Sequence, residues 1–200
     1  KAGYDKPLAL LVPACENLVA QGAMKPGAVV TSRSGKQVFI EHTDAEGRLI
    51  LADAIDYACE KLDPSMIWTA ATLTTAALRQ FSGYFTPVHF GSAELNRKLD
   101  ATGGKWGEGF RFWSEFLPFK DANNTSAGDL TNMGRLPAKA AMGSGSNIAA
   151  HFLKSFSKAP IVHFDIFASA WNWSSDYPGA GYGATGAAFN TLYEVLMDGL

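Results

Sequence analysis

The sequence predicts an α/β fold in which a mixed, mostly parallel sheet is flanked by helices. Two observations carry that expectation. Short, continuous apolar runs, the mark of strands buried on both faces, occur at Pro7–Pro13, Met66–Ala70 and Pro160–Ile166. Between them lie stretches whose apolar residues repeat at helical spacing, and strands alternating with helices give a sheet with parallel neighbours.

In chain order, Pro26-Gly27 marks a turn ahead of Ala28–Ser32 and Gln37–Glu41, which read as a hairpin closed by Ser34-Gly35-Lys36. A polar loop, Thr43 to Arg48, leads into a helix. Its Leu49, Ala52, Ile55, Cys59 and Leu62 share one face, and Pro64 stops it. Thr74–Phe81 reads as a short helix ended by Gly83, Thr86–Phe90 as a strand, and Ser92–Ala101 as a helix closed by Gly103-Gly104. Lys105–Phe119 is rich in Trp and Phe and fits no single pattern. Lys120–Ser146 reads mainly as loop, and Asn147–Phe156 as a helix capped by Ser146. Trp171–Gly183 reads as an aromatic loop. Ala184–Met197 closes the chain as a helix with Phe189, Leu192, Tyr193 and Leu196 on one face.

A chain of 200 residues that is 47% apolar can bury one substantial core. Lys plus Arg total 17 against 19 for Asp plus Glu, with no basic run, which argues against nucleic-acid binding as the main role. Charged residues make up only 18%, so part of the surface is expected to be covered in an oligomer. Cys15 and Cys59 each sit in an apolar segment, which predicts free, buried thiols in a reducing compartment. The longest apolar run is too short to span a bilayer, and the amino terminus lacks a signal-peptide layout, so a cytoplasmic protein is expected. The missing initiator Met makes the chain read as cut, processed or incomplete.

His42-Thr43-Asp44-Ala45-Glu46-Gly47-Arg48 is the most informative stretch. In an extended segment Asp44 and Glu46 point the same way. Two carboxylates on one side make an oxygen-rich site for divalent metals. Arg48 beside them suits an anion clamp, because a guanidinium offers a fork of donors. Metal plus clamp suits a hydrolysis that develops an oxyanion. Local physics leaves a second reading open: Thr43-x-x-Glu46 before an apolar helix also fits a capping box, with Asp44 as an alternative N-cap.

The segment running from Thr43 through Ala58, TDAEGRLILADAIDYA, resembles the signature of the leucyl aminopeptidase family, N-T-D-A-E-G-R-L running into L-A-D. Further resemblance lies in Ala14 to Leu18, Lys25-Pro26-Gly27, Ser34-Gly35-Lys36 and Ala70-Ala71-Thr72-Leu73-Thr74. It continues in Asp129 to Gly134, His163 to Ile166 and Gly183 to Gly186. It covers essentially the whole chain, more weakly between Tyr84 and Ala127. The resemblance implies that residues 1–200 are the C-terminal part of a single metallopeptidase catalytic domain whose upstream part lies outside this chain. It implies an aminopeptidase that releases N-terminal, leucine-type residues from peptides with two divalent metal ions, zinc or manganese. Asp44 and Glu46 would bind metal, Glu46 bridging the pair. Arg48 would be catalytic, holding a bicarbonate that acts as general base. Thr72, Leu73 and Thr74 would line the substrate cleft. The family assembles as homohexamers. Its further Lys and Asp metal ligands and its second catalytic Lys fall upstream of Lys1, so this stretch alone is expected to be inactive.

The chain departs from the pattern at three places. His42 replaces the usual Asn, Thr75 replaces the Gly after A-T-L-T, and Phe167 stands where small residues usually follow H-x-D-I. The last two support an alternative, a catalytically impaired relative with a structural or assembly role. Elsewhere, His163-x-Asp165, His89 and His151 are expected to be structural, and His42 is a weaker ligand candidate. Met142 to Asn147 lacks the features of a phosphate loop. Trp106, Phe110, Phe112, Trp113 and Phe116 are expected in core or subunit packing, and Trp171, Trp173 and Tyr177 at the cleft mouth or an interface.

Overall fold

The structure, a computed structural model, describes residues 4–137, 144–173 and 181–199. Strands β1 (Val29–Thr31) and β2 (Gln37–Phe39) form the expected hairpin, with Val30 opposite Val38 and Gly35 turning the chain at φ +84°. A third short strand, Leu130–Thr131, joins the far side of β2 in parallel; it is β6 in chain order. Helix α1 (Gly47–Lys61) follows the hairpin and buries Ala52, Ile55 and Ala58.

The larger sheet has four strands. They are β3 (Ile67–Ala71), β4 (Phe85–His89), β5 (Gly109–Trp113) and β7 (Ile161–Asp165). Their order is β3-β7-β4-β5, parallel in the outer two pairs and antiparallel between β4 and β7. The fold is therefore mixed α/β, as the alternating pattern predicts. All five residues of β7 are buried, as a strand covered on both faces must be. Helices α2 (Thr75–Phe81), α4 (Leu117–Asp121) and α5 (Gly145–Lys154) pack together, with α1 also against α5. Helix α3 (Ala93–Trp106) packs against α6 (Phe189–Met197). A single 3-10 turn (Ser82–Tyr84) and a two-residue pair, β8 (Trp171–Asn172) with β9 (Gly183–Ala184), complete the elements among the described residues.

Two apolar clusters hold these layers. One joins Val38 and Ile40 to Ala52, Ile55, Phe152, Leu153 and Ile161. The other joins Val88, Phe110 and Phe164 of the large sheet to Leu95, Leu99 and Val195 of α3 and α6.

Several elements differ from expectation. Pro7–Pro13 has no ladder partner among the described residues, and Leu10 and Val12 are 86% and 74% exposed. An apolar run becomes a buried strand only when a neighbouring strand and covering side chains are present, and here neither lies alongside. Cys15, in the segment that follows, is exposed and not buried; Cys59 is half-buried, and both are free thiols. Helix α3 continues through Gly103-Gly104 and ends on Gly107, whose φ of +70° supplies the left-handed stop. The aromatic stretch resolves into β5 and α4, and the polar stretch after it contains β6. Ser146 does not cap α5. It lies inside the first turn, fully buried, and shares a 2.9 Å hydrogen bond with His89 Nε2.

Helix α6 begins at Phe189 and buries Thr191 and Val195, while Phe189 and Tyr193 stack on its exposed side at 6.5 Å. Phe110 is core, but Trp106 and Phe116 are more than half exposed. Met142, Gly143 and Tyr177 lie outside the described residues.

Candidate active site

The loop from Glu41 to Glu46 is held by one buried side chain. Asn132 is fully buried; its Oδ1 accepts from the amides of Glu41 (2.9 Å) and His42 (3.3 Å), and its Nδ2 donates to the carbonyls of His42 (2.7 Å) and Ala45 (3.3 Å). Asn132 follows β6 directly, so the β2–β6 pairing brings it under the loop. His42 turns its Nδ1 back to accept from the Asp44 amide at 3.1 Å.

The capping reading of this segment is not what forms. Glu46 is the N-cap residue of α1, with no side-chain cap hydrogen bond. Asp44 and Glu46 are exposed, with carboxylates not spent on the helix end.

Arg48, in the first turn of α1, is 5% exposed, and its Nε has no hydrogen-bond partner among the described residues. Burial lowers its guanidinium to about 10, against the opposing pull of Asp165 and Glu46. A buried, incompletely satisfied guanidinium is a ready receptor for a small anion.

The opposite wall is the turn between β3 and α2. Ala71 is in register with Asp165, so both parallel strands end at the same level. Asp165, with no exposed surface, accepts from the amides of Leu73 and Thr74, both at 3.2 Å, and from Thr74 Oγ1 at 2.5 Å. The carboxylate at the end of β7 thus shapes the Thr72–Thr74 turn from below.

These pieces enclose a cavity of about 440 Å³, within the usual range for a small-molecule site. One wall carries Asp44, Glu46 and Arg48; the other carries Thr72, Leu73 and Thr74 with Thr75 and Arg79; Phe167 and Gly134 close the remainder. A Cβ on Gly134 would lie 2.6 Å from the Ala122 carbonyl oxygen and from Ile148 Cγ2, so glycine is needed there. All six residues singled out in the sequence therefore line one cavity. His42 also lines it, with its Nδ1 engaged.

The other histidines lie inside the core. His163 Nδ1 bonds Thr69 Oγ1 at 2.9 Å, and the His89 and His163 rings stack at 5.9 Å. His151 Nδ1 bonds the Asn147 carbonyl at 2.8 Å. Sequence reasoning gave Asp165 and Asn132 no part in the site. Their signal is present, since each stands where a short strand ends, but the loops they hold lie about ninety residues away in sequence.

The two carboxylates suit a divalent cation, which takes oxygen ligands. Among the described residues no group of three or more His, Cys, Asp or Glu side chains is arranged to hold a metal ion.

The catalytic-domain profile of the cytosol aminopeptidase family matches residues 1–193. The chain is 34% identical over 199 residues to a probable cytosol aminopeptidase of Fusobacterium nucleatum, covering 99% of this chain and 40% of that protein. It is 39% identical over 197 residues to the probable cytosol aminopeptidase of Bdellovibrio bacteriovorus, covering 92% of this chain and 36% of that protein. Among solved structures, a tomato leucine aminopeptidase mutant superposes with a TM-score of 0.80 at 29% identity, over 92% of this chain and 34% of that one. A bottromycin maturation enzyme superposes with a TM-score of 0.79 at 29% identity, over 89% of this chain and 38% of that one. The chain thus spans about two fifths or less of each of these proteins.

Proposed function

Because this chain belongs to the cytosol aminopeptidase family, its residues 1–193 matching that family's catalytic domain, we propose that it is the C-terminal part of a metal-dependent aminopeptidase. The enzyme would release N-terminal, leucine-type residues from peptides. One observation carries the reading: Asp44, Glu46 and Arg48 share a cavity with the Thr72–Thr74 turn.

In this proposal Asp44 and Glu46 would hold divalent ions, zinc or manganese. Two carboxylates are fewer ligands than zinc takes from a protein, so the set is completed by the upstream part of the same domain. Such ions would supply Lewis-acid chemistry for a carbonyl and for the attacking water. Arg48 would hold a bicarbonate, which would supply a general base, its buried guanidinium offering the anion a seat out of bulk solvent. Thr72, Leu73 and Thr74 orient the N-terminal residue, and Asp165 fixes their backbone.

The name of the family supports a cytoplasmic setting. Homohexameric assembly is part of the proposal, resting on the family resemblance. A catalytically impaired relative is not favoured, since the relatives described above are named as aminopeptidases.

The test is hydrolysis of leucine p-nitroanilide by the protein at its natural length, with zinc or manganese and with a chelator. Chelator-sensitive release is expected. Glu46→Gln should lose bound metal and at least about a hundredfold in kcat/KM. Unchanged metal content and rate in that variant would overturn the assignment.

A further inference from the structure

Helix α2 presents one face to the cavity and another to the protein. Ala77 is fully buried, and Gln80 Nε2 donates to Asn147 Oδ1 of α5 at 3.0 Å. This anchors the helix so that Thr75 and Arg79, one turn apart on the same side, both line the cavity. The Arg79 side chain is exposed there.

The other five arginines have clear commitments. Arg33 pairs with Asp56 and Glu60, and Arg135 with Glu41. Arg111 lies 3.7 Å over the Phe85 ring, Arg97 donates to the Ala93 carbonyl, and Arg48 is buried beside Asp165 and Glu46. Arg79 has no hydrogen bond or ion pair among the described residues, although Asp44 and Glu46 line the same cavity. The cavity lining therefore carries carboxylates from the segment that opens α1 and, from α2, a guanidinium with no partner among the described residues.

A substrate whose N-terminal end lies at the ions proposed for Asp44 and Glu46 can present an anion to Arg79 in the same cavity. A planar guanidinium pairs best with a carboxylate, through two parallel hydrogen bonds. The geometry points to Arg79 as a specificity residue that receives a substrate carboxylate, so that the preferred substrates are short peptides with a carboxylate close to the scissile bond. This rests on the aminopeptidase reading and names its substrate class. The carboxylate is the free C-terminus of a dipeptide or an acidic side chain on either of the first two residues. Neither Thr75 nor Phe167 supplies a charge that could take this part.

The test uses the metal-loaded protein at its natural length and matched pairs of substrates. Leu-Gly is compared with Leu-Gly-amide, Glu-Gly-amide with Gln-Gly-amide, and Leu-Glu-amide with Leu-Gln-amide. One pair at least should show KM lower for the carboxylate member by roughly tenfold, the size of one charge-assisted contact. Which pair shows it identifies the source of the carboxylate. In R79M that ratio should collapse to near one, and in R79K part of it should return. Ratios are read within each variant, so a general loss of rate cancels. No preference in the wild type, or a preference that persists in R79M, overturns the proposal.

A second measurement separates this from failure of the aminopeptidase reading. Calorimetry with reduced-amide (CH2–NH) analogues of the same matched pairs needs no turnover. Tighter binding of the carboxylate member of the preferred pair, lost in R79M, supports the role of Arg79 even if nothing is hydrolysed. Equal binding within every pair overturns it.

Discussion

Asp165 has no solvent-exposed surface and faces three donors of the Leu73–Thr74 turn together with the charge of Arg48. Asp165→Asn keeps the shape and removes the charge, leaving the buried Arg48 guanidinium with less counter-charge. It should lower the unfolding free energy by about 3 kcal/mol, read by urea denaturation. The histidines beneath the site make a pH prediction. Burial holds His89 well below its ordinary 6.5 and brings His163 down to about 4. As pH falls through 6.5 the unfolded chain takes up protons on both residues while the folded chain does not. Their contribution is therefore fully present above about 6.5 and is lost below it, by about 1.4 kcal/mol per pH unit for each histidine. Urea midpoints followed by tryptophan fluorescence should fall between about pH 7 and about pH 5, with a shallower dependence in His163→Asn. Asp44, Glu46 and Arg48 were legible because one short segment carries all three. Asp165, Asn132 and Arg79 were not, because their meaning depends on which distant loop or wall the fold sets beside them.

Helix α3 shows how tertiary packing overrides a local signal. A Gly-Gly pair reads as a stop, yet Gly103 lies inside the helix because Phe110 of β5 needs its space. A Cβ there would meet the Glu108 carbonyl oxygen at 2.3 Å and Phe110 Cε2 at 2.7 Å. Next to it, a Cβ on Gly104 would meet nothing within 4 Å. The two positions therefore predict opposite signs. Gly104→Ala should stabilise by about 0.5–1 kcal/mol through helix propensity and a less free unfolded chain. Gly103→Ala should destabilise by about 2 kcal/mol despite the same propensity gain. Thermal melts of the two variants check both. Strand β5 was hidden by a related effect. Its alternation is real, Phe110 buried at 1% and Arg111 turned out over Phe85. A run so dense in aromatics conceals a two-residue period. The hairpin, α1 and β7 were legible because their patterns are local and nothing displaces them.

The apolar stretch ahead of Cys15 is a matter for the whole molecule. Leu8 to Val12, with Leu18 and Val19, expose much of their side chains, and among the described residues outer strand β3 pairs on one side only. The 200-residue chain produced alone should bind a hydrophobic dye and self-associate, seen by light scattering, and Leu10→Lys with Val12→Lys should reduce both. The cavity, by contrast, draws its lining from parts scattered along the chain. Its parts come from residues near 44, 73, 134, 148 and 167, joined by both sheets and three helices. No single segment can form it, so occupancy and global folding are thermodynamically linked. A ligand that binds only the assembled cavity pulls the whole folding equilibrium with it, by about 2.7 kcal/mol at a hundred times its Kd. The melting temperature of the protein is thus itself a binding signal, one that reads an occupant of this site whether or not any bond is broken.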